Sequence, residues 1–223
     1  MGIAKYKINF DFFKNKNEYY WYVLGLIASD GYISDDKVEI ALNNKDAYMI
    51  EKIRDMICPT KPVYIKEKTN SVKFIIHNKI IASEMKILLC MHSNKKHSEM
   101  IFPNVPKKYM KDFIRGYVDG DGTIGKTKGY QTVNGIRKVY IGIRLRILGN
   151  EKFLKSLIEN IRKEIPNKTY SISKRKGENV FEVTYNFSIA IAILHWLYDN
   201  NKICLKRKES KFYELINIDK DIV

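Results

Sequence analysis

Cysteine is scarce in this chain. The three present, Cys58, Cys90 and Cys204, are odd in number and widely spaced. They make neither a disulfide framework nor a CxxC metal knuckle, and a reducing, intracellular setting is expected. Long apolar runs are also missing. The stretch Ile189 to Leu194 is broken by His195, far short of the roughly 18 residues of a membrane span, so no membrane partner is expected. Residues 1–20 mix lysine, aspartate and asparagine with aromatics, so no secretory signal is expected. Of the four histidines, His77, His92 and His97 precede or sit in a linker region and His195 lies in an apolar helix. Their spacing gives no HExxH or zinc-finger pattern, and His195 reads as a core or boundary residue. No P-loop or dinucleotide fingerprint occurs.

What the chain does have is positive charge. Its 40 Lys and Arg against 25 Asp and Glu leave a net charge of +15, which favours a polyanion: nucleic acid first, an anionic surface second. The basic residues run through the whole sequence rather than forming a tail. Hydrophobic residues make up 45%, so the charge does not imply disorder. The 223 residues allow one large domain or two small ones.

The chain reads as two copies of one unit, an N-terminal repeat at 1–105 and a C-terminal repeat at 106–223. The linker is placed at Ser93 to Pro106. Each copy opens with a helix that ends in an acidic, glycine-bearing segment, Val23 to Gly31 and Ile114 to Gly122, 91 residues apart. In copy one, Tyr32–Ile33 and Lys37 to Leu42 suggest a strand pair about Ser34-Asp35-Asp36. Met49, Ile50, Ile53 and Ile57 then have helical spacing. Val63 to Lys68 and Val72 to His77 suggest a second hairpin, followed by a helix with Ile80, Ile81, Met85 and Leu88. In copy two, Thr123 to Thr127 and Arg137 to Leu148 are expected to flank a long, glycine-bearing loop. Phe153, Leu154, Leu157, Ile158 and Ile161 mark a helix. Thr169 to Ser173 and Asn179 to Tyr185 flank a basic turn, Lys174-Arg175-Lys176-Gly177. Phe187 to Tyr198 and Lys208 to Ile218 read as the last helices.

The expected fold is therefore α+β, two αββαββα repeats, each a four-stranded antiparallel sheet with helices on one face and the other face open. Lys66, Lys68 and Lys73 fall in one unit. Arg144 and Arg146 share a face in the other, with Ile143, Leu145 and Ile147 opposite. Basic side chains at period two suit a grooved polyanion.

Gly25 and Ser29 are four residues apart, as are Gly116 and Gly120. Small residues at i and i+4 share one helix face and permit close backbone approach. Packing of these helices would bring Asp30 and Asp121 near one another, where two carboxylates repel unless a cation joins them. Magnesium accepts carboxylate, phosphate and water oxygens and can activate water and stabilise a leaving oxygen. An aspartate at a helix C-terminus opposes the dipole, which argues against a merely structural role. Gly31 and Gly122 are otherwise suited to C-terminal turns with positive φ. An EF-hand loop starting at Asp119 fails, because its glycine and glutamate positions hold Ile124 and Tyr130.

The two segments resemble the signature of the LAGLIDADG homing endonucleases, and the repeat order extends the resemblance over nearly the whole chain. The resemblance implies a single-chain pseudo-dimer with motif helices between its halves and two sheets forming a saddle over the major groove of duplex DNA. It implies divalent metal, Mg2+ with Mn2+ substituting, and one acid from each motif, cutting the two strands across the minor groove. The eighth motif position lands on Asp30 and Asp121. The packing positions, third and seventh, land on Gly25 with Ser29 and Gly116 with Gly120. The sixth, often acidic, is Asp119 in copy two but Ala28 in copy one. An active-site lysine is implied for each half: Lys206, preferred to Lys208, in copy two, and Lys96 or Lys95 in copy one. A polar strand end falls on Asn44 or Asn43 in copy one, and near Leu148-Gly149-Asn150 in copy two. DNA contacts are expected from Lys66, Lys68, Lys73, Arg144, Arg146, Lys174 and Arg175, on an asymmetric target of roughly 20 bp, about two helical turns. The family also includes intron RNA maturases and nuclease-inactive regulators, so host intron RNA is a second expected partner. Monomeric function and a nucleoid or organellar setting complete the expectation.

Overall fold

The computed structural model describes residues 6–91, 99–166 and 171–220. Packing divides the chain into two units, one ending at Gly120 and one starting at Asp121. In the first unit, asparagines start three of the helices. Asn9 opens α1 (Phe10–Asn15), Asn17 opens α2 (Glu18–Asp30) and Asn78 opens α4 (Lys79–Leu89), each accepting from a first-turn backbone N–H. Such caps satisfy donors that the helix itself cannot. Between α2 and α4 lie β1 (Gly31–Ile33), β2 (Lys37–Asn43), α3 (Ala47–Ile57), β3 (Tyr64–Lys66) and β4 (Ser71–His77). The strands form an antiparallel sheet in the order β1-β2-β4-β3. One face, with Val38, Ile40, Leu42, Val72, Phe74 and Ile76, is buried under α2, α3 and α4. The other carries Tyr32, Lys37, Glu39, Lys73, Tyr64 and Lys66, as register and alternation require. Helix α5 (Met110–Asp121) completes this unit apart from its last residue.

The second unit repeats the order: β5 (Gly122–Val133), β6 (Ile136–Gly149), α6 (Glu151–Glu164), β7 (Ser171–Lys174), β8 (Phe181–Asn186), α7 (Phe187–Tyr198) and α8 (Lys206–Lys220). Its antiparallel sheet runs β5-β6-β8-β7. Asn150 caps α6 through the Phe153 N–H at 2.8 Å. Ile143, Leu145, Ile147, Val183 and Tyr185 are buried with the apolar stripe of α6, Phe153, Leu154, Leu157, Ile158 and Ile161. The fold is thus α+β, with two αββαββα repeats and a final helix.

Three local expectations are corrected. No glycine-bearing loop separates β5 from β6. The strands pair continuously from Gly122↔Ile147 to Val133↔Ile136, and Asn134-Gly135 turns the chain with φ of 52° and 77°. That is the two-residue turn whose twist matches a hairpin. Strand β3 stops at Lys66, so Lys68 lies in a single 3-10 turn, Glu67–Thr69. Neither motif helix ends in a left-handed glycine. Gly31 has φ −82°, and a Cβ there would lie 2.4 Å from the Ile27 carbonyl oxygen, so close approach, not backbone handedness, demands glycine.

Candidate active site

The site is built on the crossing of α2 and α5. A Cβ on Gly25 would lie 2.1 Å from the Phe113 carbonyl oxygen, and one on Gly116 would lie 2.1 Å from that of Tyr22. Backbone therefore meets backbone at both positions, which only glycine permits. One turn on, Ser29 is buried and returns its hydroxyl to the Leu26 carbonyl at 3.0 Å. A Cβ on Gly120 would strike Ser29 Oγ at 1.9 Å and Asp30 Oδ2 at 2.6 Å. The Asp30 carboxylate thus lies along the α5 backbone at Gly120. Asp30 is the last residue of α2 and exposed. Asp121 is the last residue of α5 and half-buried. Each helix runs straight into a strand, so each aspartate stands at a helix–strand junction without an intervening loop.

A polar pair missed at the sequence level supports the crossing. The Tyr22 hydroxyl donates to Asp119 Oδ2 at 2.7 Å, both residues being fully buried. The residues 91 positions away are Phe113 and Ala28, both apolar. The acid absent from the first motif is thus matched by a hydroxyl absent from the second. Arg115, also fully buried, pairs with Asp112 at 2.6 Å and lies 5.7 Å from the Tyr22 ring. Its spacing of four from Asp119 puts both on one helix face, a signal available in the sequence.

The lysines separate clearly. Lys206 is exposed at the first residue of α8. Lys208 is buried, and its Nζ donates to the Gly122 carbonyl at 2.7 Å, one residue beyond Asp121. Lys95 and Lys96 lie outside the described residues. Asn43 accepts from the Lys45 N–H at 3.0 Å, and Asn150 caps α6. Asn44 donates its own backbone N–H to the Asn70 carbonyl at 3.0 Å.

On the open sheet face of the first unit, Lys66 stands opposite Ser71, and Lys73 opposite Ala41 and Tyr64. Lys73 is held by Glu39 at 3.0 Å, a partner that the charge pattern did not reveal. In the second unit Arg144 faces Gly125 and Asn186. Arg146 faces Thr123 and Thr184, with Glu182 at 3.8 Å. Lys174 pairs with Phe181, which places it on the opposite face from Arg144 and Arg146. Arg175 is in the exposed turn beyond, 3.3 Å from Glu178.

Among the described residues no three His, Cys, Asp or Glu side chains form a cage for a metal ion. Each motif helix offers one carboxylate at its end, Asp30 on α2 and Asp121 on α5. Magnesium bound through one or two carboxylates, substrate phosphate and water needs no more. The glycine cradle at Gly120, which leaves the Asp30 carboxylate room beside the helix backbone, fits that use. Among the described residues no helix is long and apolar enough to cross a membrane.

No family model matches the sequence. A segment of 106 residues is 31% identical to reverse gyrase from Methanocaldococcus jannaschii. It covers 48% of this chain but 6% of that protein, so the chain spans a small fraction of this curated relative. Among solved structures, the chain is similar to the LAGLIDADG meganuclease I-AabMI bound to uncleaved DNA. The TM-score is 0.62 at 14% identity, over 92% of this chain and 91% of that one. It is also similar to the I-LtrWI LAGLIDADG homing endonuclease bound to target DNA, with TM-score 0.59, 15% identity and coverage of 96% and 92%. I-SmaMI bound to an uncleaved DNA target with calcium gives 0.61 at 11%, over 92% and 91%. These likenesses are of fold. The chain has the fold of the LAGLIDADG homing endonucleases in their single-chain, two-repeat form, a DNA endonuclease fold.

Proposed function

We propose that the chain is a site-specific, divalent-metal-dependent endonuclease that hydrolyses both strands of a long, asymmetric DNA target, roughly two helical turns in length. The observation that carries this reading is the glycine-to-backbone crossing of α2 and α5, each ending in an aspartate at a helix–strand junction. Asp30 and Asp121 are the residues that would hold Mg2+ or Mn2+. When bound, the metal would lower the pKa of water and offset charge on the leaving oxygen. The chain's own residues do the rest. The close crossing, with Gly120 against Asp30, fixes where the Asp30 carboxylate points. Lys208, held on the Gly122 carbonyl, places an ammonium beside the second motif, where it counters charge developing on the phosphate. Arg144 and Arg146 engage phosphates or guanine edges, since a guanidinium suits both. The two repeats differ in sequence, so the chain acts as a monomer on a site without two-fold symmetry.

The test is strand scission on a DNA library that includes the sequence flanking the gene, with magnesium, with EDTA, and with Asp30→Asn and Asp121→Asn proteins. Discrete metal-dependent cuts are expected, slowed by about 10³-fold or more in either variant. Tight, salt-dependent binding of a library that stays intact would refute the nuclease reading and favour a maturase or regulator. Binding to host intron RNA separates those two.

A further inference from the structure

The outer edge of the first sheet is covered only in part. Strand β2 pairs with β4 along its whole length, from Lys37↔His77 to Asn43↔Ser71, but β3 reaches it only at Ser71, Val72 and Lys73. Among the described residues no strand lies beside Phe74–His77 on that side. A cavity of about 340 Å³ opens there, within the first unit. Its buried lining is apolar, with Phe74, Ile76 and Cys58. Exposed Tyr64 and His77 mark its open side.

Local chemistry directs a lysine to this cavity. Helix α3 ends at Ile57, and the Lys61 N–H donates to the Cys58 carbonyl at 3.0 Å. That closes a four-residue turn with Pro59 at its second position, where proline's fixed φ is favoured. Pro62 then disfavours helical backbone at Lys61 itself. The segment before α1 is tied to the same corner. The Asn9 N–H donates to the Ile57 carbonyl at 2.8 Å, its Nδ2 to the Met56 carbonyl at 3.0 Å, and Cys58 Sγ to the Lys7 carbonyl at 3.3 Å. Tyr6 and Ile8 are thereby held as a wall of the cavity. Lys61, also in the lining, is 8% exposed, and its Nζ lies 5.6 Å from the centre of the Tyr6 ring. Among the described residues its ammonium has no hydrogen-bond acceptor or ion-pair partner. A charge withdrawn from water without an acceptor opposes folding, and burial lowers the Lys61 pKa below the ordinary lysine value. Packing therefore gives no reason for lysine at this corner.

We propose that this cavity is a binding site for a small, one-ring carboxylate, its acid on Lys61 and its ring against Phe74, Ile76 and Tyr6. The volume is at the lower end of the range for small-molecule sites, about 300–1,000 Å³, and a mostly apolar lining with a few convergent polar groups is their usual make-up. A carboxylate supplies the acceptor that Lys61 lacks. A phosphate, free or on a duplex, would satisfy the ammonium but leave the apolar lining unfilled, whereas a ring removes that lining from water. The site is independent of the endonuclease reading.

The full chain is titrated calorimetrically with 3-phenylpropionate, with its neutral amide 3-phenylpropionamide, and with inorganic phosphate as competitor. The acid is expected to bind about 10–150-fold more tightly than the amide, the worth of a hydrogen bond to a charged group, and phosphate should not displace it. Lys61→Met should weaken the acid by the same factor and leave the amide nearly unchanged. Tyr6→Ala, which removes a wall but no charge, should weaken acid and amide alike. Backbone amide NMR shifts on adding the acid should change at residues 6–8, 58–64 and 74–77. No saturable binding of the acid, equal affinity for acid and amide, or undiminished acid binding in Lys61→Met would overturn the proposal. So would displacement by phosphate, or shift changes centred on the basic sheet face.

Discussion

Gly116→Ala is the most demanding substitution for the helix crossing. Its Cβ would sit 2.1 Å from the Tyr22 carbonyl oxygen, whereas real Cβ contacts stay beyond 3.0 Å. The difference is 0.9 Å, and neither partner can give it by rotating, because both are backbone. Helices α2 and α5 must separate, and α2 is buried from Tyr20 to Ser29. A gap of about 0.5–1 Å forfeits a quarter to a half of each dispersion contact across it. Overpacking of a core costs about 1–3 kcal/mol, and the upper end applies here. Alanine returns about 1 kcal/mol of helix propensity. The expected net loss is about 2 kcal/mol, or a fall in Tm of about 4–8 °C for a chain of this size. Urea unfolding should show a lower midpoint with an unchanged slope. Gly125→Ala is the control, since nothing lies within 4 Å of its added Cβ, and it should stay within about 0.5 kcal/mol of wild type. Gly25→Ala added to Gly116→Ala should cost less than the sum, because the first change has already opened the gap. Cleavage should fall further than stability explains, since a misplacement of about 1 Å costs on the order of 10²-fold in rate. If Gly116→Ala melts with wild type, the crossing is not a tight backbone-to-backbone contact.

Three further outcomes follow from single contacts. Tyr22→Phe removes the donor to buried Asp119 and should cost about 1–3 kcal/mol. Adding Asp119→Ala, which reproduces the apolar combination of Phe113 and Ala28, should recover much of that, and a double-mutant cycle in urea without coupling would contradict it. Lys208→Met should lower the cleavage rate by about 10²-fold or more while duplex affinity holds. The same change at Lys206 should cost less, and the reverse order in a single-turnover assay would refute the assignment. Lys61 is nearly buried, and burial lowers its pKa below the ordinary lysine value. The charged form is thus the one that folding disfavours, and the penalty is fully present at neutral pH. It fades as pH rises from the lowered pKa towards the unfolded value of about 10.4. Lys61→Met should stabilise by about 1 kcal/mol at pH 7, with a gain that shrinks in alkali. A constant or growing gain in urea titrations would contradict the burial argument.

Helices were legible where an apolar stripe was continuous. Met49, Ile50, Ile53 and Ile57 announce α3 and are all buried in it, and α7 spans the expected residues, Phe187–Tyr198. The β5–β6 ribbon was not legible for the complementary reason. Its outer half is exposed on both faces, with Tyr130, Ile136, Val139 and Tyr140 in solvent, so burial imposed no alternation on the sequence. Gly129 fell in the span expected to be loop, and Gly125 and Gly142 in the expected strands on either side of it. Two of them are there because Phe187 lies across them, a contact from an element more than forty residues away that no local pattern reports. The decisive local sign was Asn134-Gly135, the dipeptide most suited to a two-residue hairpin turn.

The choice between Lys206 and Lys208 shows how the helical phase contains chemical information. Leu205, Lys208, Phe212 and Leu215 are all buried, and their spacing of three, four and three residues is one inward stripe of a helix. Position 208 therefore had to face the core of its unit whatever residue it held. A lysine on such a stripe is tolerable only if its ammonium reaches an acceptor, because an unpartnered buried charge costs several kcal/mol. The acceptor it reaches is the Gly122 carbonyl, at the first residue of β5. An apolar residue at 208 would pack more cheaply, so the stripe alone gives no reason for lysine there. Position 206, two residues away on the exposed side, has no such constraint, and a lysine there is what any solvated first turn permits. The physical cost at 208, paired with its place beside the second motif, is the argument for function that proximity in sequence could not supply.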